Sequence, residues 1–227
     1  MLRQNNYSYE TGDDMDKKTV VYKKYKPSYE SEVLKVFTKA FENYPLFCIY
    51  RDAFRTEKKF RNCYTQVMTA IFRATIRKDK CYVGFVDGRI TALVVIEAPT
   101  DKPVSFWDYT VCGMPRIIVM LGLMKTLRYL KLSEETEYAV KEIKEPRWHL
   151  YFLAVDPKSQ GKGIGSDAIQ HFLIPLVRKN GGKLITVTTN SEKNVPFYLG
   201  NGFNLVKEET LGYNGKTVGN WTFRMDL

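Results

Sequence analysis

The residues best suited to chemistry in this sequence lie between His149 and Gly165, where an apolar segment runs into a glycine-rich turn. The turn alternates Gly161, Gly163 and Gly165 around Lys162, and helical periodicity begins directly after it. Glycines let the backbone aim several N–H groups at one point, and the positive end of a helix dipole adds to that field. The pattern therefore predicts a binding site for a pyrophosphate, with the positive charge of Lys162 beside it.

Three phosphate-binding patterns compete for this turn. A Walker loop needs four residues between its glycines, followed by Gly-Lys-Ser/Thr, and this turn lacks that spacing. A dinucleotide fingerprint needs Gly-x-Gly-x-x-Gly and an acidic residue about 20 positions later. Here Gly165 comes one residue early, and Glu192 comes 27 residues after it. The third pattern is Gln-x-x-Gly-x-Gly, which Gln160, Gly163 and Gly165 match.

A second motif lies downstream, where Asn194, Tyr198, Gly202 and Phe203 form Asn-x-x-x-Tyr-x-x-x-Gly-Phe. In this order and spacing the two motifs resemble the GNAT superfamily of acetyl-CoA-dependent N-acetyltransferases. The sequence looks closest to the bacterial small-molecule branch that includes puromycin acetyltransferase-like proteins. The resemblance implies an α/β fold with a mixed, mostly antiparallel twisted sheet and helices on both faces. A helical insertion would precede the cofactor-binding strand.

The resemblance also implies acetyl-CoA as co-substrate. The pantetheine chain would lie against the strand that ends at Val155, at main-chain groups of Leu153, Ala154 and Val155, where one N–H faces the thioester oxygen. Asn190 and Asn194 are either further CoA contacts or turn and cap residues, and the two roles can coexist. The residues implied to bind the pyrophosphate are Gln160, Gly161, Lys162, Gly163, Ile164 and Gly165.

Acetyl transfer to an amine needs a neutral nucleophile, a polarised carbonyl and a proton for the departing thiolate. The resemblance implies that Tyr198 is the general acid, since a phenol can donate a proton at neutral pH. His149 is the candidate base, because an imidazole with a pKa of about 6.5 accepts a proton at physiological pH. Strand alternation places His149, Tyr151 and Leu153 on one face, which would let the imidazole reach the acetyl site. Glu142 and Glu145, just before the strand, are alternative bases.

The first half of the chain predicts two helices followed by an antiparallel hairpin. A strand at 19–22 precedes a helix that Ser28 would cap, and a second helix spans roughly Glu57 to Arg77 with one buried and one basic face. Asp87-Gly88 then separates two apolar runs, and a type I′ hairpin turn needs positive φ at both of its central positions. The sheet is therefore expected to start antiparallel.

The second half predicts the elements that carry both motifs. They are a strand, a helix, a strand, a short helix and a closing hairpin, at 148–155, 164–179, 184–189, 195–200 and around Asn214-Gly215. Since the glycine turn lies between the first two of these elements, the motifs fall at the ends of strands.

A length of 227 residues fits one domain with an insertion. Residues 1–16 are polar with few apolar anchors, so we expect a flexible N-terminal arm. Residues 17–227 would form a single acetyltransferase domain, with the insertion at about 99–145. The most apolar part of the insertion, 111–124, is shorter than the about 20 residues that span a bilayer, and we expect a buried helix there.

Composition narrows the classes further. With 44% apolar and 14% aromatic residues, the chain is neither disordered nor collagen-like. The four cysteines form no C-x-x-C pair, so no metal site is expected. Reduced cysteines and a polar N-terminus without a secretory signal predict a cytoplasmic protein.

Charge keeps one other class open. The formal net charge is +10, and the window 51–80 alone holds nine basic against three acidic residues. Such a face is usually solvated, although it is also the one feature that favours a nucleic-acid partner. No aromatic and basic recognition motif accompanies it, so nucleic-acid binding is the least favoured function.

We therefore expect an N-acetyltransferase that moves the acetyl group of acetyl-CoA to a primary amine of a small molecule by direct attack, without a metal or a membrane. A non-catalytic acyl-CoA-binding sensor and an enzyme for protein amines are the alternatives, and both a monomer and a homodimer stay open. Aromatic side chains predict an apolar or aromatic acceptor pocket. They are Tyr44, Phe47, Tyr50, Trp107 and Tyr109.

Overall fold

The computed structural model describes residues 19–78 and 80–227, so the expected arm at 1–16 lies outside the described residues. The strands are β1 Val21–Lys24, β2 Lys80–Val86, β3 Arg89–Glu97, β4 Trp148–Val155, β5 Leu184–Thr189, β6 Asn204–Tyr213 and β7 Lys216–Asp226. They form one sheet of seven strands in the order β1-β2-β3-β4-β5-β7-β6. Neighbouring strands are antiparallel except β4 and β5, which are parallel.

Helices cover both faces of this sheet. They are α1 Glu30–Ala40, α2 Pro45–Cys48, α3 Glu57–Ile76, α4 Phe106–Val111, α5 Met114–Leu121, α6 Leu123–Glu135, α7 Tyr138–Glu142, α8 Ile164–Asp167, α9 Ile174–Lys179 and α10 Val195–Gly200. A π-helical turn, Ala168–Leu173, joins α8 to α9. One core lies under α1, α3, α5 and α6, and a second lies under α8, α9 and α10. The predicted fold class is confirmed.

Both predicted hairpin turns are present. Asp87 and Gly88 have φ of 49° and 74°, and Asn214 and Gly215 have φ of 48° and 77°. Positive φ at both central positions is the type I′ geometry, whose twist matches that of the flanking strands. Local sequence therefore determines these two turns.

The predicted start of the first helix is wrong. Ser28 lies in a short 3₁₀ turn, Pro27–Tyr29, and the α-helix begins after Tyr29, which makes no side-chain cap. Proline fixes φ and starts the turn one residue before Ser28, so the serine is inside the turn rather than at a helix boundary. In α3 a side chain does cap the helix, since Thr56 Oγ1 accepts from Lys59 N at 3.3 Å.

The tract between β3 and β4 folds into the four short helices α4 to α7. The expectation of a buried helix at 111–124 is wrong, because only one face of α5 is covered. Ile117 and Leu121 are buried, whereas the Val119 residue is 85% exposed. The helix ends at Gly122, where φ is 90°. That this tract is an insertion into the domain stays a prediction.

Within the described ranges, no helix is long and apolar enough to cross a bilayer.

Candidate active site

The site starts where β4 separates from its parallel neighbour. Pairing with β5 stops at Leu150, which faces Val187, although β4 continues to Val155 and β5 to Thr189. The two strands therefore diverge. Beyond Leu150 the backbone of β4 has no strand partner on this side, so its N–H and C=O groups are available to an extended ligand.

A β-bulge at Tyr151 reverses the alternation of side chains in β4. Two consecutive β3 residues pair with Leu150 and Phe152, which leaves Tyr151 as the extra residue. Leu150 and Leu153 consequently pack in the core under α8 and α9, while Phe152 packs in the opposite core. The prediction that His149 and Leu153 share one face is therefore wrong, because a bulge shifts the period-two pattern by one residue.

A cavity of about 140 Å³ lies at this opening. Its walls are largely aromatic and aliphatic, and come from α1, α2, α3, the helices before β4, and β4 itself. They include Phe41, Tyr44, Phe47, Ile71, Tyr109, Met114, Ile117, Tyr129, Tyr151 and Phe152. Among the described residues that line the cavity, Glu137 is the one that carries a formal charge at neutral pH when unperturbed.

Of the aromatic residues expected around an acceptor pocket, Tyr44, Phe47 and Tyr109 line the cavity. Tyr50 does not, because it packs edge-on behind the wall, 5.2 Å from the Tyr129 ring centre. The prediction for Trp107 is also wrong, since this residue is 73% exposed on α4 and does not line the cavity.

Tyr198 reaches the cavity from α10. Its ring packs between Phe203 and Phe223, with ring centres 5.6 and 5.5 Å away, which fixes its direction. Burial raises the pKa of Tyr198, and nearby Tyr44 raises it further. The hydroxyl is therefore protonated at neutral pH and can donate.

A hydrogen-bond network at the end of β5 connects Tyr44 to the α10 segment. Asn190 N donates to Tyr44 Oη at 2.6 Å, and Tyr44 Oη lies 3.2 Å from Thr189 Oγ1. Asn194 Nδ2 donates to Thr189 Oγ1 at 3.0 Å, and Asn190 Nδ2 donates to Asn220 Oδ1 at 2.9 Å. Both asparagines line the cavity, and both amide nitrogens are bonded within the protein, to β5 in the case of Asn194 and to β7 in the case of Asn190. Their contacts with CoA stay predictions.

The glycine turn has the backbone that its sequence predicts. Gly161 and Gly163 have φ of 75° and 76°, the left-handed region that side chains rarely adopt. Gln160 Nε2 donates to Val155 O at 3.0 Å and closes the turn. Lys162 and the two glycines are exposed, and the helical run 164–179 starts directly afterwards. The turn thus presents backbone to solvent beside the end of β4.

The predicted base lies behind the cavity wall rather than in it. His149 is buried; its Nδ1 is 2.9 Å from Thr186 Oγ1, and its Nε2 is 3.4 Å from Glu137 Oε2. Burial lowers the pKa of His149 to about 4, the charge of Glu97 opposing this shift. A ring with that pKa is neutral and weakly basic at physiological pH. The role of His149 as the base stays a prediction.

Glu137 is the acidic residue that sequence reasoning missed. It follows the last turn of α6 and lines the cavity. Burial raises the pKa of Glu137 to about 7, an effect that Lys141 and Arg147 oppose. A carboxylate with that pKa can accept a proton at neutral pH. The helical spacing of Tyr129, Ser133 and Glu137 was the one sequence signal that could have pointed to it.

The two alternative bases are on the surface. The Glu142 side chain is 73% exposed and lies 3.9 Å from Lys207 Nζ, and the Glu145 side chain is 58% exposed and lies 3.5 Å from Arg224 Nη1. Neither lines the cavity. The expectation that one of them could be the base is therefore wrong, because the chain between α7 and β4 turns away from the acetyl site.

Carboxylates from outside the window account for much of the basic face at 51–80. These carboxylates come from α1, the loop after it and the tract after β3. Their ion pairs therefore join residues that are far apart in sequence. The pairs include Arg61 with Glu42, Arg73 with Glu30, Arg77 and Lys78 with Asp108, and Lys80 with Asp101. The face is thus paired with acids, which weakens the argument for a nucleic-acid partner. Among the residues that the structure describes, no group of His, Cys, Asp and Glu could hold a metal ion.

Comparison with known proteins adds to this geometry. Residues 127–218 match the family model described as an acetyltransferase (GNAT) domain. A GCN5-related N-acetyltransferase from Rhodopseudomonas palustris is 15% identical with a TM-score of 0.56, covering 96% of this chain and 100% of that one. A polyamine N-acetyltransferase from Drosophila melanogaster is 17% identical with a TM-score of 0.54, covering 92% and 100%. The PaiA N-acetyltransferase from Thermoplasma acidophilum, solved in complex with coenzyme A, is 10% identical with a TM-score of 0.51, covering 92% and 99%.

A search of the curated proteins finds no match. At these low identities the solved structures establish the shared fold alone. Together with the domain match they confirm the resemblance to the GNAT superfamily. Placement in the puromycin acetyltransferase-like branch stays a prediction.

Proposed function

We propose that this acetyltransferase, whose GNAT domain is matched over residues 127–218, transfers the acetyl group of acetyl-CoA to a primary amine of a small molecule by direct attack. The observation that carries the proposal is the cavity at the opening of β4 and β5. A protonated phenol, Tyr198, and a carboxylate of raised pKa, Glu137, both line it. One group can supply a proton and the other can remove one.

The residues around the opening fit acetyl-CoA. Main-chain groups of Leu153, Ala154 and Val155 lie beyond the last pairing with β5 and can bond the amides of a pantetheine chain. Thr188 also lines the cavity beside these groups. The bound thioester supplies an activated acetyl group. The residues proposed to hold its pyrophosphate are Gln160, Gly161, Lys162, Gly163, Ile164 and Gly165.

In the proposed reaction Glu137 accepts a proton from the acceptor ammonium, which frees the nitrogen lone pair. The new C–N bond forms as this nitrogen attacks the thioester carbonyl, and backbone N–H groups near the Tyr151 bulge stabilise the developing oxyanion. Tyr198 then donates its proton to the sulfur as the C–S bond breaks. Glu137 releases the first proton to solvent and then accepts the second proton of the amine, which returns to the Tyr198 phenolate by way of solvent, so each turnover releases one proton. The products are the acetamide and CoA with a free thiol.

His149 acts in this scheme as a positioning residue. Its Nδ1 contact with Thr186 holds the ring, and its Nε2 faces Glu137. A neutral imidazole there excludes water from one side of the carboxylate and keeps the pKa of Glu137 near neutrality. In this scheme Glu137 contacts the substrate and accepts the proton, and His149 supports Glu137 instead of acting as the base itself.

A thiol-release assay with acetyl-CoA and a panel of amines tests the proposal. Turnover with small apolar primary amines is the expected result. Binding of acetyl-CoA without turnover of any amine or lysine peptide would instead support the acyl-CoA sensor. Turnover of lysine peptides alone would identify a protein acceptor, and retention on DNA that collapses with salt would support a nucleic-acid binder.

A further inference from the structure

The helices between β3 and β4 hold most of the large apolar side chains that the described residues expose. Of eleven such side chains, seven fall within 106–127. They are Phe106, Trp107 and Val111 on α4, Val119 on α5, and Leu123, Met124 and Leu127 on α6. A single exposed apolar side chain is ordinary, whereas a concentration of them in one short tract indicates an interaction surface.

The outward side of α6 combines apolar and basic side chains. At about 100° per residue, five exposed residues lie within an arc of about 140°, namely Leu123, Met124, Leu127, Arg128 and Lys131. The buried residues of the helix lie on the other side, and they are Thr126, Tyr129 and Leu132. The apolar side chains of this face come first along the helix, and the basic ones follow. The exposed Val119, just before the break at Gly122, continues the apolar run onto α5.

The same three helices line the cavity with their inward sides. The lining residues are Tyr109 of α4, Met114 and Ile117 of α5, and Leu130 of α6. Helix α5 packs against α4 and against α6. The three helices thus form one layer, with the cavity on one side and the exposed apolar side chains on the other.

The charge of this tract indicates what covers it. Between 102 and 131 the chain has one acidic residue, Asp108, which is buried and paired with Arg77 and Lys78. The five basic residues of the tract are all exposed, and they are Lys102, Arg116, Lys125, Arg128 and Lys131. A second copy of the chain in a two-fold contact would bring this positive charge against itself. An anionic lipid surface attracts it instead.

We propose that the exposed side of α4, α5 and α6 binds the surface of a bilayer that contains anionic lipid. The apolar side chains enter the boundary between headgroups and acyl chains, and the basic ones face the lipid phosphates. Trp, Phe and Leu flanked by Lys and Arg are typical of proteins that lie at this boundary. The tract 111–124 is too short to span a bilayer, which is the ground for expecting no membrane partner. Binding at the surface needs no spanning segment, so that expectation changes here.

Sedimentation with lipid vesicles tests the proposal. The wild-type protein should sediment with vesicles of phosphatidylcholine mixed with phosphatidylserine, more weakly with phosphatidylcholine alone, and less in high salt. The double variants Met124→Ser/Leu127→Ser and Lys125→Glu/Lys131→Glu should each weaken binding to the mixed vesicles by at least about tenfold.

The matched controls carry the same changes on other surfaces. They are Leu205→Ser/Val206→Ser on β6 and Lys24→Glu/Lys39→Glu on β1 and α1, where the residues replaced are also exposed. Both controls should bind the mixed vesicles as the wild type does. Because the charge variants replace exposed side chains alone, they keep the test valid if an apolar variant fails to fold.

Absence of wild-type binding to the mixed vesicles, or equal binding by the wild type and all variants, would overturn the proposal. A wild-type dimer in sedimentation velocity that Met124→Ser/Leu127→Ser disrupts, without vesicle binding, would identify a second copy as the occupant and overturn it as well. Salt-sensitive binding of an oligonucleotide without vesicle binding would do the same in favour of nucleic acid. Vesicle binding needs no turnover, so its outcome is independent of the proposed acetyl transfer.

Discussion

Glu137 Oε2 lies 3.4 Å from His149 Nε2, and the two side chains shift in opposite directions from their ordinary pKa values. Burial disfavours charge on both groups, so it raises the pKa of the acid and lowers that of the base. Near pH 7 the imidazole is therefore neutral and about half of the carboxyl is ionised, with Glu137 at the cavity and His149 behind it. The proposed mechanism therefore gives proton acceptance to the glutamate.

Replacing His149 should alter the glutamate rather than abolish the reaction. In His149→Ala, water enters behind Glu137 and lowers the pKa of its carboxyl, so the acid limb of the kcat–pH profile moves to lower pH. A kcat–pH titration of both proteins measures the shift. Thr186→Val is a milder control that removes the Nδ1 contact and keeps the ring. A profile identical to that of the parent would remove His149 from the mechanism.

Tyr198→Phe should lower kcat by about 10² or more, because the phenol proton on the departing sulfur is lost. The affinity for acetyl-CoA should change little, since the ring and its packing against Phe203 and Phe223 remain. Steady-state kinetics and calorimetric titration of acetyl-CoA separate the two quantities. An acetyl thioester with a more acidic thiol should restore part of the loss. Equal kcat in both proteins would exclude Tyr198 as the acid.

Gly163→Ala should weaken binding of acetyl-CoA and destabilise the fold by about 1 kcal/mol, since a side chain at φ of 76° is strained. Gly200→Ala is the matched control, because Gly200 has ordinary helical φ and no atom within 4 Å of an added Cβ. Calorimetric titration and urea unfolding measure both effects. Unchanged affinity in Gly163→Ala would argue against a pyrophosphate at the turn.

Glu137 also affects stability as a function of pH. The pKa of Glu137 rises from 4.5 to about 7 on folding, so its ionisation does not affect stability well below pH 4.5, destabilises the fold progressively between pH 4.5 and about 7, and adds nothing further above that range. Glu137→Gln lacks this penalty. The free energy of unfolding of Glu137→Gln, relative to that of the parent, should therefore increase between these pH values by up to about 3 kcal/mol. Urea unfolding at pH 4.5 and 8 measures the gain, with the exposed Glu134→Gln as control. A constant difference across pH would show that Glu137 is not buried as a carboxylate.

The sequence motifs predict the parts of the site that are local. Gly161, Gly163 and the Asn214-Gly215 turn depend on the backbone preferences of their own residues, and Tyr198 depends on a fixed spacing within α10. These positions agree with the structure because nothing distant is needed to place them.

The rest of the site depends on contacts that no single segment encodes. Glu137 becomes a cavity residue only because the end of α6 packs beside β4, and the Tyr151 bulge becomes visible only through its pairing with β3. The pairing of charges at 51–80 also depends on distant segments. Glu30 and Asp108, which pair with Arg73 and Arg77, lie outside this window. Tertiary packing thus changed both the candidate base and the interpretation of the charge.

The central claim is that Glu137 accepts the proton of the amine at the cavity. The most direct measurement is the kcat–pH profile of the wild-type protein and of Glu137→Gln, with acetyl-CoA and a small apolar amine at saturation. We predict that kcat of the wild type rises with pH around a midpoint of about 7, as the carboxyl loses its proton. Glu137→Gln should lower kcat by about 10² to 10⁴ and lose this limb. A Glu137→Gln variant that keeps both the rate and the limb would contradict the account.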